Sequence, residues 1–132
     1  MRASIVAIVV AAMLPCVAEG APPRPQKTIT GVFSDLRFIP QAGDVVGSEI
    51  FLLSNGSGYF VLLQCAAGRL GSPELLPANV DYPVLTFIVP ENSNSSCPPG
   101  EFKGMISKRG LHGRIKGLEW PGYLDRKRSY WQ

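Results

Sequence analysis

A chain of 132 residues, 45% hydrophobic and 17% charged, suffices for one domain around one core. Its net charge of +3 does not mark a nucleic-acid-binding protein, and one histidine beside three cysteines is too few ligands for a metal centre.

In chain order, residues 1–20 read as a secretory signal peptide. Arg2 supplies a positive start, Ile5 to Leu14 an apolar run, and Ala18-Glu19-Gly20 small residues for cleavage before Ala21. The run is about ten to fourteen residues, short of the roughly 20 a membrane span needs. No later segment is long and apolar enough to cross a bilayer, so the mature protein is expected to be secreted or periplasmic. Cys16 is not expected to carry a lipid, because Pro15 directly before it does not fit a lipid-attachment box. Residues 21–26 form a proline-rich leader, and residues 27–132 the folded domain. That domain holds Cys65 and Cys97, and an even pair in an oxidising compartment reads as one disulfide.

The domain breaks into short runs of β-branched and aromatic residues divided by Gly, Pro, Asn, Asp and Ser, with no helical period. Lys27 to Ile39 predicts a first strand, with a bulge near Ser34-Asp35 where the apolar phase moves from Ile29 and Phe33 to Leu36 and Phe38. Pro40 to Asp44 is a turn and Val45 to Leu53 a second strand. Ser54-Asn55-Gly56-Ser57 signals a hairpin into a third strand, Gly58 to Ala67. A short fourth, Glu74 to Val80, is weakened by Pro73 and Pro77. Tyr82 to Val89 is a fifth. Pro90 to Gly100 is a polar loop tied by Cys97. Glu101 to Ser107, Leu111 to Leu118 and Tyr123 to Trp131 complete the set. Eight short strands with hairpin links predict an all-β antiparallel meander closing into a small barrel. Phe33, Ile50, Leu52, Phe87, Phe102, Ile106 and Ile115 face inward. Gly31, Gly47, Gly104, Gly113 and Gly117 also fall inward, where the sheet bends or an aromatic ring lies on the backbone.

Charge is unevenly placed. Residues 21–100 carry four bases against six acids, a net of −2, while residues 101–132 carry eight bases against three acids, a net of +5. In the segment 101–117, Lys103, Met105, His112, Arg114 and Lys116 face outward. The plainest reading is that these bases keep the outer faces of edge strands wet.

No catalytic constellation is visible. His112 falls on an outward phase. Asp44 belongs to a turn, and Glu49 either points inward or pairs with Arg37 across strands. Asp35 is the third carboxylate in that region. No phosphate loop, metal cluster or nucleophile motif is present, so neither an enzyme nor a cofactor is expected. Asn55-Gly56-Ser57 and Asn94-Ser95-Ser96 match the glycosylation pattern.

The runs Gly31 to Phe38, Gly43 to Glu49, Gly58-Tyr59-Phe60, Phe102 to Ser107 and Arg128 to Gln132 resemble small exported bacterial proteins of unassigned function. More loosely, the pattern is similar to the calycin barrels, which include the lipocalins and avidins. Those open on Gly-x-Trp with an Arg packed across the Trp. This chain has Gly31-Val32-Phe33, with Arg126 or Arg128 as the late partner. The resemblance implies a carrier of a small apolar ligand. Against that stands the length of the domain, short for a roomy cavity. The other expectation is a protein-binding module of the cell envelope, an inhibitor or accessory subunit, using Tyr123, Arg126, Arg128, Tyr130 and Trp131 as an aromatic and basic contact set. Alternatively Tyr130 and Trp131 tuck back and plug the barrel.

Overall fold

The computed structural model describes residues 29–128. The signal peptide, the proline-rich leader, Cys16, Tyr130 and Trp131 lie outside them. Among the described residues nine antiparallel strands follow one another: β1 (Gly31–Ser34), β2 (Arg37–Ile39), β3 (Asp44–Ser54), β4 (Tyr59–Gly68), β5 (Glu74–Asp81), β6 (Val84–Val89), β7 (Gly100–Ile106), β8 (Gly110–Ile115) and β9 (Leu118–Arg126). Each pairs with the next along a meander from β3 to β9. β1 pairs with both β3 and β9, so the single sheet nearly closes into a barrel. The seam with β9 is short, resting on the Phe33–Arg126 and Ser34–Asp125 pairs.

β1 and β2 are one strand laid along β3 and interrupted at Asp35-Leu36. The expected bulge is not there. Ser34 faces Glu49 and Arg37 faces Val46, so two residues oppose two and no residue is extra. The interruption is a kink made by a close approach. The Asp35 carboxylate accepts a hydrogen bond from the Ser48 amide at 2.6 Å. A Cβ on Gly47 would stand 2.7 Å from the Asp35 carbonyl oxygen, and Gly47 has φ +113°. Only glycine fits that conformation and that space. Beyond the kink Leu36 is buried, but Phe38 is exposed. Asp44 opens β3 rather than ending the preceding turn, and pairs with Ile39.

The hairpin tip between β3 and β4 is held by Asn55, whose Oδ1 accepts from the amides of Ser57 and Gly58, both at 3.0 Å. The doubtful fourth strand is a full eight residues. Pro73 lies just before it, and Pro77 takes the register position opposite Phe60 with its ring on the outer face. Leu76 and Ala78 on either side face the core. β6 begins at Val84, two residues later than expected.

The largest departure is at the last hairpin. β8 stops at Ile115, and β9 starts at Leu118 rather than Tyr123. Gly113 faces Gly122 and Ile115 faces Leu118, so Arg114 alone opposes Glu119, Trp120 and Pro121. This wide irregularity turns Trp120 into the barrel. Its Nε1 donates to Ser48 Oγ at 3.0 Å, on the strand 72 positions earlier. Trp120 therefore packs against the core at one end of the barrel. Ser48 Oγ also lies 3.5 Å from Cys65 Sγ. A half-cystine has no proton, so any bond there is the serine hydroxyl pointing at sulfur. Trp120→Phe and Ser48→Ala are each expected to cost about 1 kcal/mol in urea unfolding. The double variant should cost clearly less than their sum, because both remove one bond; simple additivity would show the bond contributes nothing.

The same end carries the polar loop. Cys65 and Cys97 form a disulfide with Cα atoms 5.1 Å apart. The Cys65 amide donates to the Ser95 carbonyl at 2.9 Å, and the Ser72 amide to the Asn94 carbonyl at 2.8 Å. Ser93 Oγ donates to Glu74 and lies 2.5 Å from Ser95 Oγ, which pins the loop to β5.

All seven expected inward side chains are buried. The core centres on Phe102, whose ring stacks on Phe87 with centroids 4.5 Å apart. Gly104 and Gly113 face each other across β7 and β8 beneath that ring. A Cβ on Gly113 would come within 2.2 Å of Phe102 Cζ, and one on Gly104 within 2.7 Å. The aromatic ring thus occupies the volume that two side chains would take. Gly117 differs from the expectation: it lies in the β8–β9 turn with open space around it.

Candidate functional site

The inward phase of the long strands is mainly apolar, and Phe33, Ile50, Leu52, Val61, Leu63, Leu85, Phe102, Leu111 and Leu124 are fully buried there. A barrel that crosses an outer membrane has the opposite arrangement, with a polar interior. Among the described residues, no helix is long and apolar enough to cross a membrane. With the interior packed, the surfaces available for recognition are the outer faces of the sheet, and there are two of different character.

The first outer face spans β1, β3, β4 and β5. Register aligns Val32, Phe51, Leu62 and Leu75 in one cross-strand row, and Leu53, Phe60 and Pro77 in the next. Outward positions of a half-solvated sheet are ordinarily polar, so two adjacent apolar rows are unusual. Leu75 is 58% exposed, and nearby Ile88 on β6 is 69% exposed. Pro77, Asn79, Thr86, Ile88 and Glu101 line an outer groove of about 410 Å³ between β5 and β6. The row beyond is polar but covered. Glu49 lies between Ser34 and Gln64, all three buried, and Gln64 Nε2 donates to the Gly71 carbonyl at 2.5 Å. Arg37 faces Val46, not Glu49, and its guanidinium reaches the Asp35 carbonyl at 3.4 Å.

The second outer face spans β7, β8 and β9. Met105, His112 and Tyr123 form one row, and Lys103 and Arg114 face each other in the row beside it. Lys116, Leu118 and Glu119 at the last turn, with Glu101, complete a shallow trough of about 920 Å³. The outward phase of residues 101–117 is as the alternation indicates. Edge protection does not account for it. β7 is paired on both sides, to β6 and β8, and β8 to β7 and β9.

Of the five residues proposed from sequence as one contact set, Tyr130 and Trp131 lie outside the described residues, and Tyr123 and Arg126 fall on opposite faces of β9. Tyr123 is half-exposed on the outer face. Arg126 is on the inward phase, with its guanidinium carbon 4.6 Å from the centroid of the Phe33 ring. Its Nη1 donates to the Thr30 carbonyl at 2.8 Å and its Nη2 to the Ser107 carbonyl at 3.4 Å. Gly31 clears the space, since a Cβ there would stand 2.6 Å from Nη1. Arg126, not the exposed Arg128, is therefore the partner of Phe33, and it closes the seam between the first and last strands. Arg126→Met is expected to lower stability by about 1–2 kcal/mol, while Arg128→Met should stay within about 0.5 kcal/mol of the parent. Equal effects in urea titrations would remove the seam role. Sequence reasoning missed Trp120 and the apolar rows. The rows were legible only as unbroken runs such as Phe60 to Leu63, whose two faces periodicity cannot separate.

The structure thus defines a nearly closed, disulfide-tied antiparallel barrel with a packed interior and two contrasting outer faces. No family model, curated protein or solved structure matches the chain. Among the described residues no group of three or more His, Cys, Asp or Glu side chains is placed to hold a metal ion.

Proposed function

We propose that this is an exported, non-catalytic binding protein that engages another protein with the outside of its barrel, as an inhibitor or accessory subunit of the cell envelope. One observation carries the reading. Apolar side chains are packed inside the sheet and stand again in two rows on its outer face, where Leu75 and Pro77 are exposed and Phe51, Leu53, Phe60 and Leu62 are half-buried. Exposed apolar patches of this kind mark protein contacts. Export is supported by the signal-like residues 1–20 and by the disulfide, which persists in oxidising compartments. Burying Leu75 and Ile88, both more than half exposed, against a partner would contribute about 1.5–3 kcal/mol each at most.

A second reading is a calycin-like carrier of a small apolar ligand, favoured by Arg126 over Phe33 at the closure of the barrel. The packed interior speaks against cargo there. Native mass spectrometry of the protein from its exported fraction separates the two. The protein-binding reading expects a second polypeptide that is lost in Leu75→Lys/Ile88→Lys. A small molecule released on denaturation, with no second polypeptide, would favour the carrier.

A further inference from the structure

We infer that the trough on the outer face of β7–β9 is a recognition site for an acidic protein segment bearing an apolar side chain. The inference rests on the protein-binding reading above and names the chemistry of one partner surface.

The argument begins with register. Lys103 and Arg114 are directly opposed across β7 and β8, and both side chains are exposed. Like charges at facing positions of a sheet repel and are ordinarily avoided. Neither takes part in an ion pair or hydrogen bond among the described residues. Neither strand is an edge, so protection from stray pairing does not explain them. A carboxylate placed between the two would turn the repulsion into two charge-assisted contacts, with the Arg114 fork suited to bidentate binding.

The surroundings define the rest of the ligand. Met105 is 60% exposed in the next row, and Leu118 is nearly half exposed at the last turn. They flank the basic pair within the same trough. That combination fits an acidic group followed by an apolar anchor. Three strands about 4.8 Å apart make a floor about 10 Å across, the width of a short extended peptide. A nucleic-acid backbone suits the site less well, because Glu101 and Glu119 line the same trough and confine the favourable position to one carboxylate between Lys103 and Arg114, not a continuous line of phosphates. A flat anionic membrane does not enter a concavity.

The test is a titration of the full folded protein with an N-acetylated hexapeptide, Ser-Glu-Ser-Leu-Ser-Ser, whose Glu and Leu share one face when extended, followed by amide chemical shifts in NMR. Shifts are expected at Lys103, Met105, His112, Arg114 and Leu118. Lys103→Gln/Arg114→Gln should weaken binding about tenfold and leave the melting midpoint no lower than the parent's, since a repulsion has been removed. Raised ionic strength should weaken binding, and the Gln-for-Glu peptide should not bind. The inference is overturned if the peptide leaves β7–β9 unshifted, or binds the double variant as well as the parent. It is equally overturned if anionic phospholipid vesicles bind through these residues while the peptide does not. These results are separable from the native mass measurement. A polypeptide partner retained by Lys103→Gln/Arg114→Gln but lost in Leu75→Lys/Ile88→Lys would sink the trough and spare the protein-binding reading.

Discussion

Gly113→Ala is expected to destabilise the barrel by about 3 kcal/mol, the upper part of the range for an overpacked core. The added methyl would meet the Phe102 ring at 2.2 Å. That ring cannot swing aside, because Phe102 is fully buried and stacked on Phe87. Nor can β8 move outward without breaking its pairing to both β7 and β9. For a domain of this size the loss corresponds to a melting midpoint lower by about 10–20 °C. Phe102→Leu in the same chain should recover part of it by vacating the volume over the glycine. A Gly113→Ala variant that melts with the parent, or a double variant that adds the two losses, would show that the ring does not dictate glycine there.

Removing the disulfide should be comparably costly. Cys65 and Cys97 close a loop of 32 positions, for which chain entropy gives roughly 3–4 kcal/mol. Both cysteines are buried, so Cys65→Ala/Cys97→Ala also loses packing. The effect is expected to be local as well as global. The polar loop lies across one end of the barrel through Ser93, Asn94 and Ser95. Hydrogen exchange in the double variant should rise first at the amides of Cys65 and Ser72, which donate to that loop. A loss below about 1 kcal/mol in urea unfolding, with those two amides still protected, would mean the loop is held by its hydrogen bonds alone.

Period-two alternation was enough to find the strands, to place Phe33, Phe102 and Ile115 inside, and to place Lys103, His112 and Arg114 outside. This works because a sheet with one apolar side writes its geometry into every second residue. The pairing of Cys65 with Cys97 followed from count and compartment. Alternation fails where neither face is polar. Along Phe51-Leu52-Leu53 and Phe60-Val61-Leu62-Leu63 both phases are apolar, so the outer apolar rows were invisible until register joined them across four strands. It fails again where strand pairing is irregular. Trp120 looked like part of a link between two strands, yet three residues of β9 opposing Arg114 turn it inward to Ser48.

What the sequence determined by itself is local: strand identity, the sidedness of the 101–117 hairpin, the glycines beneath an aromatic ring and the cysteine pair. These depend on residues next to one another or on composition. What only the tertiary structure decided is nonlocal: that Arg126 rather than Arg128 lies over Phe33, that Trp120 packs into one end of the barrel, and that β7 and β8 are not edges. Each depends on which residue faces which across the closed sheet, and closure is set by the packing of the whole core rather than by any one strand.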